Sequence, residues 1–123
     1  SLFAKNPLAN LPYIVDGDIT VCQTNAILEY LGDRFSLGGG TMEERRLNRE
    51  MLCEAYDIRN EIIGLVYDFM EATRTKEEFA TKMAAFLTEG YKPYYNKLDQ
   101  FVAAHGGPYT CGRTLVAADF HVW

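Results

Sequence analysis

The stretch Asn10-Leu11-Pro12-Tyr13-Ile14-Val15-Asp16-Gly17 runs almost directly into Thr20-Val21-Cys22-Gln23-Thr24-Asn25-Ala26-Ile27. No other part of the chain constrains the fold as much. It reads as a proline turn, a short hairpin and the N-terminus of a helix. An X-Pro bond ahead of a strand is a place where a cis peptide can be built in, and a cis turn there leaves the main-chain groups of Leu11 to pair with a peptide-like ligand. Gln23 and Thr24 fall where the hydrophobic period changes from strand-like to helix-like. They therefore mark a helix start, whose unpaired N–H groups attract anions such as a carboxylate.

Tyr13-Ile14-Val15 and Ile19-Thr20-Val21 flank Asp16-Gly17-Asp18, a strong hairpin signal. A lone two-stranded hairpin is marginal in water. Residues 27–35 are accordingly expected to cover one face through Ile27, Leu28, Leu31 and Phe35, with further strands outside this chain. The run Phe35-Ser36-Leu37-Gly38-Gly39-Gly40 follows no strand and reads as a linker rather than a phosphate loop.

Beyond the linker the pattern is helical. Thr41-Met42-Glu43-Glu44 and Thr75-Lys76-Glu77-Glu78 both have the capping-box form. The first predicts a helix over about 42–72, with Leu47, Met51, Ala55, Ile58, Ile62, Leu65 and Phe69 recurring at three- and four-residue steps, as core or as subunit interface. The second predicts a helix carrying Phe79, Met83, Phe86, Leu87, Tyr94, Leu98 and Phe101, bent near its middle by Gly90 and Pro93 and stopped by Gly106-Gly107-Pro108.

With 123 residues and 48% hydrophobic content, one moderate core is expected, as one domain or as one lobe plus part of another. There is no long apolar run or leader-like segment, so a soluble protein with no membrane partner is expected. The net charge of −5 carries no basic stripe, which argues against a nucleic-acid partner. Cys22, Cys53 and Cys111 are odd in number and lack metal-ligand spacing, so they read as free thiols of a reducing compartment, the cytosol. Cys22, just before the helix start, is either a thiol acidified by the helix dipole or a small buried residue. His105 and His121 have no partner at a catalytic or metal spacing and read as surface or packing residues.

The order Asn-Leu-Pro, strand, Asp-Gly turn, strand, Gln-Thr-x-Ala-Ile, helix resembles the cytosolic glutathione transferases, in the Asn-Leu-Pro-Tyr form common in the mu class, with the sigma class next. The resemblance covers essentially the whole chain, strongly up to Phe35 and more loosely beyond. It implies an α/β, thioredoxin-like N-terminal part, incomplete as a hairpin plus helix over residues 1–35, a linker at 36–40, and an incomplete all-α C-terminal domain over 41–123. In that family the proline is cis, the residue before it pairs through its backbone with the cysteinyl part of glutathione, and a Gln-Ser/Thr pair grips the γ-glutamyl carboxylate. The resemblance thus assigns glutathione binding to Asn10, Leu11, Pro12, Gln23 and Thr24. Aligned from the capping box, Asp57 would reach the α-amino group of the glutathione on a neighbouring subunit; its other reading is a solvated helix carboxylate. Tyr67 would face the electrophile and donate to developing charge, or else serve as an aromatic in helix packing.

What the resemblance implies is conjugation of the thiol of reduced glutathione to small hydrophobic electrophiles, in detoxification, by a cytoplasmic homodimer. Members of the family activate that thiol with a Tyr, Ser or Cys ahead of the Asn-Leu-Pro turn. Only nine residues precede it here, and the chain opens at Ser1 without an initiator Met, so an incomplete chain is expected, with the catalytic residue outside it. The segment Gly112-Arg113-Thr114-Leu115-Val116-Ala117-Ala118-Asp119-Phe120 resembles the entry to the family's core helix, where a Ser or Thr three residues before the aspartate is the N-cap. Val116 stands there instead and cannot accept a hydrogen bond, which leaves Asp119 to pair with the preceding loop. Two other readings stand beside conjugation. A non-catalytic structural or assembly relative fits the missing cap and catalytic residue, and the Gln23-Thr24 pair and Pro12 speak against it. A sigma-like isomerase or synthase would use the same site on an internal substrate.

Overall fold

A two-residue hairpin loop favours a glycine able to take positive φ, and Gly17 takes φ +59° at the first loop position of the computed structural model. Residues 2–70 and 75–122 are described, the side chains of Leu2, Asp68 and Phe69 apart. After a short helix α1 (Leu2–Lys5), strands β1 (Tyr13–Asp16) and β2 (Ile19–Cys22) pair antiparallel, with Tyr13 opposite Cys22 and Asp16 opposite Ile19. Helix α2 (Thr24–Arg34) is braced to this hairpin. The Tyr30 hydroxyl donates to Asp16 Oδ2 at 2.7 Å and Arg34 Nε donates to the same oxygen at 3.2 Å. The Tyr30 bond and the Arg34 charge hold the Asp16 carboxyl below its ordinary range, and the bond to Asp16 raises the Tyr30 phenol.

Ile27 is buried as expected, with Leu28 and Leu31 half-buried. Phe35 is not, being 66% exposed. The helix ends at Arg34, and Phe35 takes φ −109° and ψ 13°, which swings its side chain off the inner stripe.

Helix α3 (Met42–Met70) starts at the first capping box. Glu44 N–H donates to Thr41 Oγ1 at 3.1 Å, and Thr41 N–H donates to Glu44 Oε2 at 3.0 Å. Leu47, Met51, Ala55 and Ile58 are buried, Leu65 is half-buried, and Ile62 sits at the exposed border. The expected positions 71–72 and the Phe69 side chain lie outside the described residues. Leu52 widens the stripe at 1% exposure.

The expected single bent helix is two. Helix α4 (Lys76–Ala85) carries the Thr75–Glu78 capping box, a π-helical turn spans Phe86–Gly90, and α5 (Lys92–Ala104) follows. Pro93 falls in the first turn of α5, where its missing N–H costs nothing. The Phe86 ring lies over Gly90, where a Cβ would come within 3.1 Å of it. The wider turn rotates Leu87 outward to 65% exposure, whereas Leu98 is buried and Phe79, Met83, Tyr94 and Phe101 are half-buried.

Met51, Leu52 and Ile58 of α3 meet Leu98 of α5 and Val116 and Ala118, which lead into helix α6 (Asp119–Val122). The architecture is the expected one, an α/β hairpin-and-helix part followed by an all-α part. Among the described residues no helix is long and apolar enough to cross a membrane.

Candidate glutathione-binding turn and helix start

The Leu11–Pro12 peptide bond is cis. Tyr13 pairs with Cys22, so the next residues outward, Pro12 and Gln23, leave the same end of the hairpin, with Leu11 and Thr24 one step further. Register alone brings the two halves of the predicted site together. Leu11 is 81% exposed. Its N–H is nevertheless not free as expected, because it donates to Asn10 Oδ1 at 2.8 Å. An asparagine amide oxygen readily reaches nearby main chain in a turn, so Asn10 holds the place that a ligand acceptor would take.

Asn6, which the sequence reading missed, and Cys22 hold this turn down. Asn6 donates from Nδ2 to Thr20 O at 3.0 Å and accepts the Leu8 N–H on Oδ1 at 2.9 Å. The Cys22 thiol donates to Leu8 O at 3.0 Å. Cys22 is thereby the small buried residue of its two readings. The Asn6-Pro7 pair is a turn-initiating signal that could have singled Asn6 out.

Gln23 occupies the N-cap of α2 with φ 74° and ψ 122°, and its side chain makes no capping bond. Its carbonyl accepts the Ile27 N–H at 2.9 Å. No acidic residue lies in the first turn, and Arg34 lies in the last. The helix itself therefore sets no negative charge against the positive end of its dipole. Asn25 Oδ1, next to Thr24, is buried and has no hydrogen-bond partner among the described residues. An uncapped helix start beside exposed, turn-held main chain suits a ligand with a carboxylate and a peptide backbone.

Asp57 and Tyr67 are both exposed on α3, and no hydrogen bond joins either to the hairpin among the described residues. Tyr67 is 51% exposed. Burial, with the charges of Glu44 and Asp119, pushes the Cys111 thiol up to about 11, and Cys53 is exposed. His105 Nδ1–H donates to Phe101 O at 2.7 Å. His121 is half-buried, and burial with the Arg59 charge lowers its pKa. No group of side chains suited to a metal ion occurs among the described residues.

Asp119 pairs with the preceding loop, as expected, although the side chain of the valine at 116 offers no acceptor in return. Its Oδ2 accepts the Val116 N–H at 2.9 Å, and its Oδ1 accepts both the Thr110 N–H at 2.8 Å and the Thr110 hydroxyl at 2.7 Å. The carboxylate is 6% exposed, and three donors satisfy it there.

The glutathione S-transferase N-terminal domain model matches residues 1–33, and a glutathione S-transferase C-terminal domain model matches residues 56–123. The chain belongs to the glutathione S-transferase family and is mu-like within it. It is 33% identical over 111 residues to glutathione S-transferase B of Cavia porcellus, covering 90% of this chain and 46% of the relative. It is 31% identical over 114 residues to glutathione S-transferase Mu 2 of Rattus norvegicus, covering 93% and 47%. The class-mu 26 kDa isozyme of Schistosoma mansoni is 32% identical over 80 residues, covering 65% and 37%. The chain thus spans about half the length of the first of these relatives. No solved structure matches it.

Proposed function

We propose that this chain carries part of the glutathione site of a transferase that conjugates the thiol of reduced glutathione to small hydrophobic electrophiles, in detoxification, in the cytoplasm and as a homodimer. The observation that carries this is the meeting of the Leu11–Pro12 turn and the uncapped, acid-free start of α2 at one end of the hairpin. On this reading the Leu11 main chain pairs with the cysteinyl backbone once Asn10 yields its N–H, and Gln23 and Thr24 hold the γ-glutamyl carboxylate at the helix start. Asp57 meets the α-amino group of the glutathione bound by a second subunit, and Tyr67 donates to the electrophile. In the reaction, the sulfur of the thiolate forms a bond to an electrophilic carbon, which gives up its leaving group or receives the electron pair into its conjugated system. The Tyr, Ser or Cys that lowers the thiol pKa belongs to polypeptide outside these 123 residues. The domain division at 36–40 is part of the same proposal.

The valine at 116 and the lack of a catalytic residue ahead of the turn fit a non-catalytic relative, whereas Pro12 and the Gln23-Thr24 pair speak against it. Calorimetric titration of the natural protein with glutathione tests the site. Gln23→Ala and Thr24→Ala are expected to weaken binding about tenfold or more, the worth of a charge-assisted hydrogen bond. Asp57→Ala should weaken it by less, and unchanged affinity would remove the cross-subunit role. Equal affinity in all three variants overturns the assignment.

A further inference from the structure

Asn48 is the least expected residue of the core. It is 3% exposed on a face of α3 otherwise made by Leu47, Met51, Leu52 and Ala55, and a buried amide is unfavourable without a partner. Its Oδ1 accepts the Ala118 N–H at 2.9 Å, from 70 residues away. That donor is of the kind a helix start leaves unpaired and an N-cap side chain normally takes. The Val116 carbonyl accepts the first bond of this turn, from Asp119 N–H at 3.1 Å, but the valine side chain offers no oxygen. We propose that Asn48 supplies the missing N-cap through space, and that in doing so it is a positioning residue for the glutathione site.

The link to the site runs through the neighbouring residue. Ala117 N–H donates to Leu37 O at 2.8 Å, and Leu37 N–H donates to Gly32 O at 2.6 Å. Gly32 is a buried residue of α2, and a Cβ there would stand 3.2 Å from Ala117 Cβ. The turn 116–118, pinned on one side by Asn48, is therefore the seat of α2 on the other. The start of α2 carries Gln23 and Thr24. Without the pin, the buried Ala118 N–H must find another acceptor, the turn shifts, and the helix start shifts with it. This step rests on the reading of Gln23 and Thr24 as the carboxylate site.

Four forms of the natural protein decide it: wild type, Asn48→Val, Val116→Thr, and the double variant, in which the threonine returns an acceptor at the local cap position. Each is followed by thermal melting and by glutathione titration well below the lowest melting point. Asn48→Val is expected to lower Tm by about 3–8 °C and to weaken glutathione about three- to tenfold. Adding Val116→Thr should bring the Kd back to within about twofold, although alone it gains nothing, which is the signature of coupled sites. A glutathione Kd unmoved by Asn48→Val overturns the positioning role, and a double variant no better than Asn48→Val overturns the cap. If Asn48→Val does not fold, recovery of folding in the double variant supports the cap, and its absence overturns it. Wild-type protein that holds no glutathione overturns the reading of the site instead, and the melting comparison still decides the cap.

Discussion

Two irregular stretches of this chain, residues 6–12 and residues 110–119, are both fixed by side chains bonding to main chain, yet they end in opposite environments. In the first, Asn6, Asn10 and Cys22 hold a turn whose outer residue Leu11 is 81% exposed. In the second, Asp119, Thr110 and Asn48 hold a turn whose residues Val116 and Ala118 are 0% exposed. The same device makes an exposed edge in one place and a seat in the core in the other. What differs is whether packing covers the turn. A buried turn must satisfy every donor from within the protein, whereas an exposed one can leave groups for a partner.

That contrast can be broken most severely at Asp119. Asp119→Ala strips acceptors from two buried main-chain donors and one hydroxyl, and is expected to cost about 4 kcal/mol, read by urea unfolding; a loss under about 1 kcal/mol would mean that water replaces the carboxylate. Next comes Leu52→Ala, expected to cost about 3 kcal/mol, against a change within about 0.5 kcal/mol for Val15→Ala on the open face of the hairpin. Equal losses at the two positions would show that the hairpin is as well covered as the helical core. A smaller effect is expected at the surface cap of α4, where Thr75→Ala should lower stability by about 1 kcal/mol, read by amide exchange in the first turn.

The smallest is a pH effect that sharpens the picture of the buried seat. Folding raises the Cys111 thiol to about 11 from an ordinary 9.0, so across that window the folded protein holds a proton that the unfolded chain releases. Its contribution is complete below about pH 9 and is lost as pH rises through about 11. Melting curves across that range should fall less steeply in Cys111→Ala than in wild type. For the same reason iodoacetamide should label exposed Cys53 ahead of Cys111 and buried Cys22.

The features legible in the sequence are those whose physics is local. The Asp16-Gly17 turn, both capping boxes and the change of period at Gln23 each depend on residues within a few positions, and all appear where the pattern puts them. Phe35 and Leu87 escape the pattern because a helix end and a π-helical turn rotate them off stripes that a steady 3.6-residue period would keep. Asn10 escapes in another way. Its type and place in the motif are visible, but its grip on the Leu11 N–H depends on a side-chain rotamer.

By itself the sequence determines the family and the order of elements, because motifs, caps and hydrophobic periods are short-range properties of a chain. Only the tertiary structure decides how the start of α6 is capped. The acceptor for Ala118 lies 70 residues back on α3, and a helix start leaves donors whose partner need only be near in space.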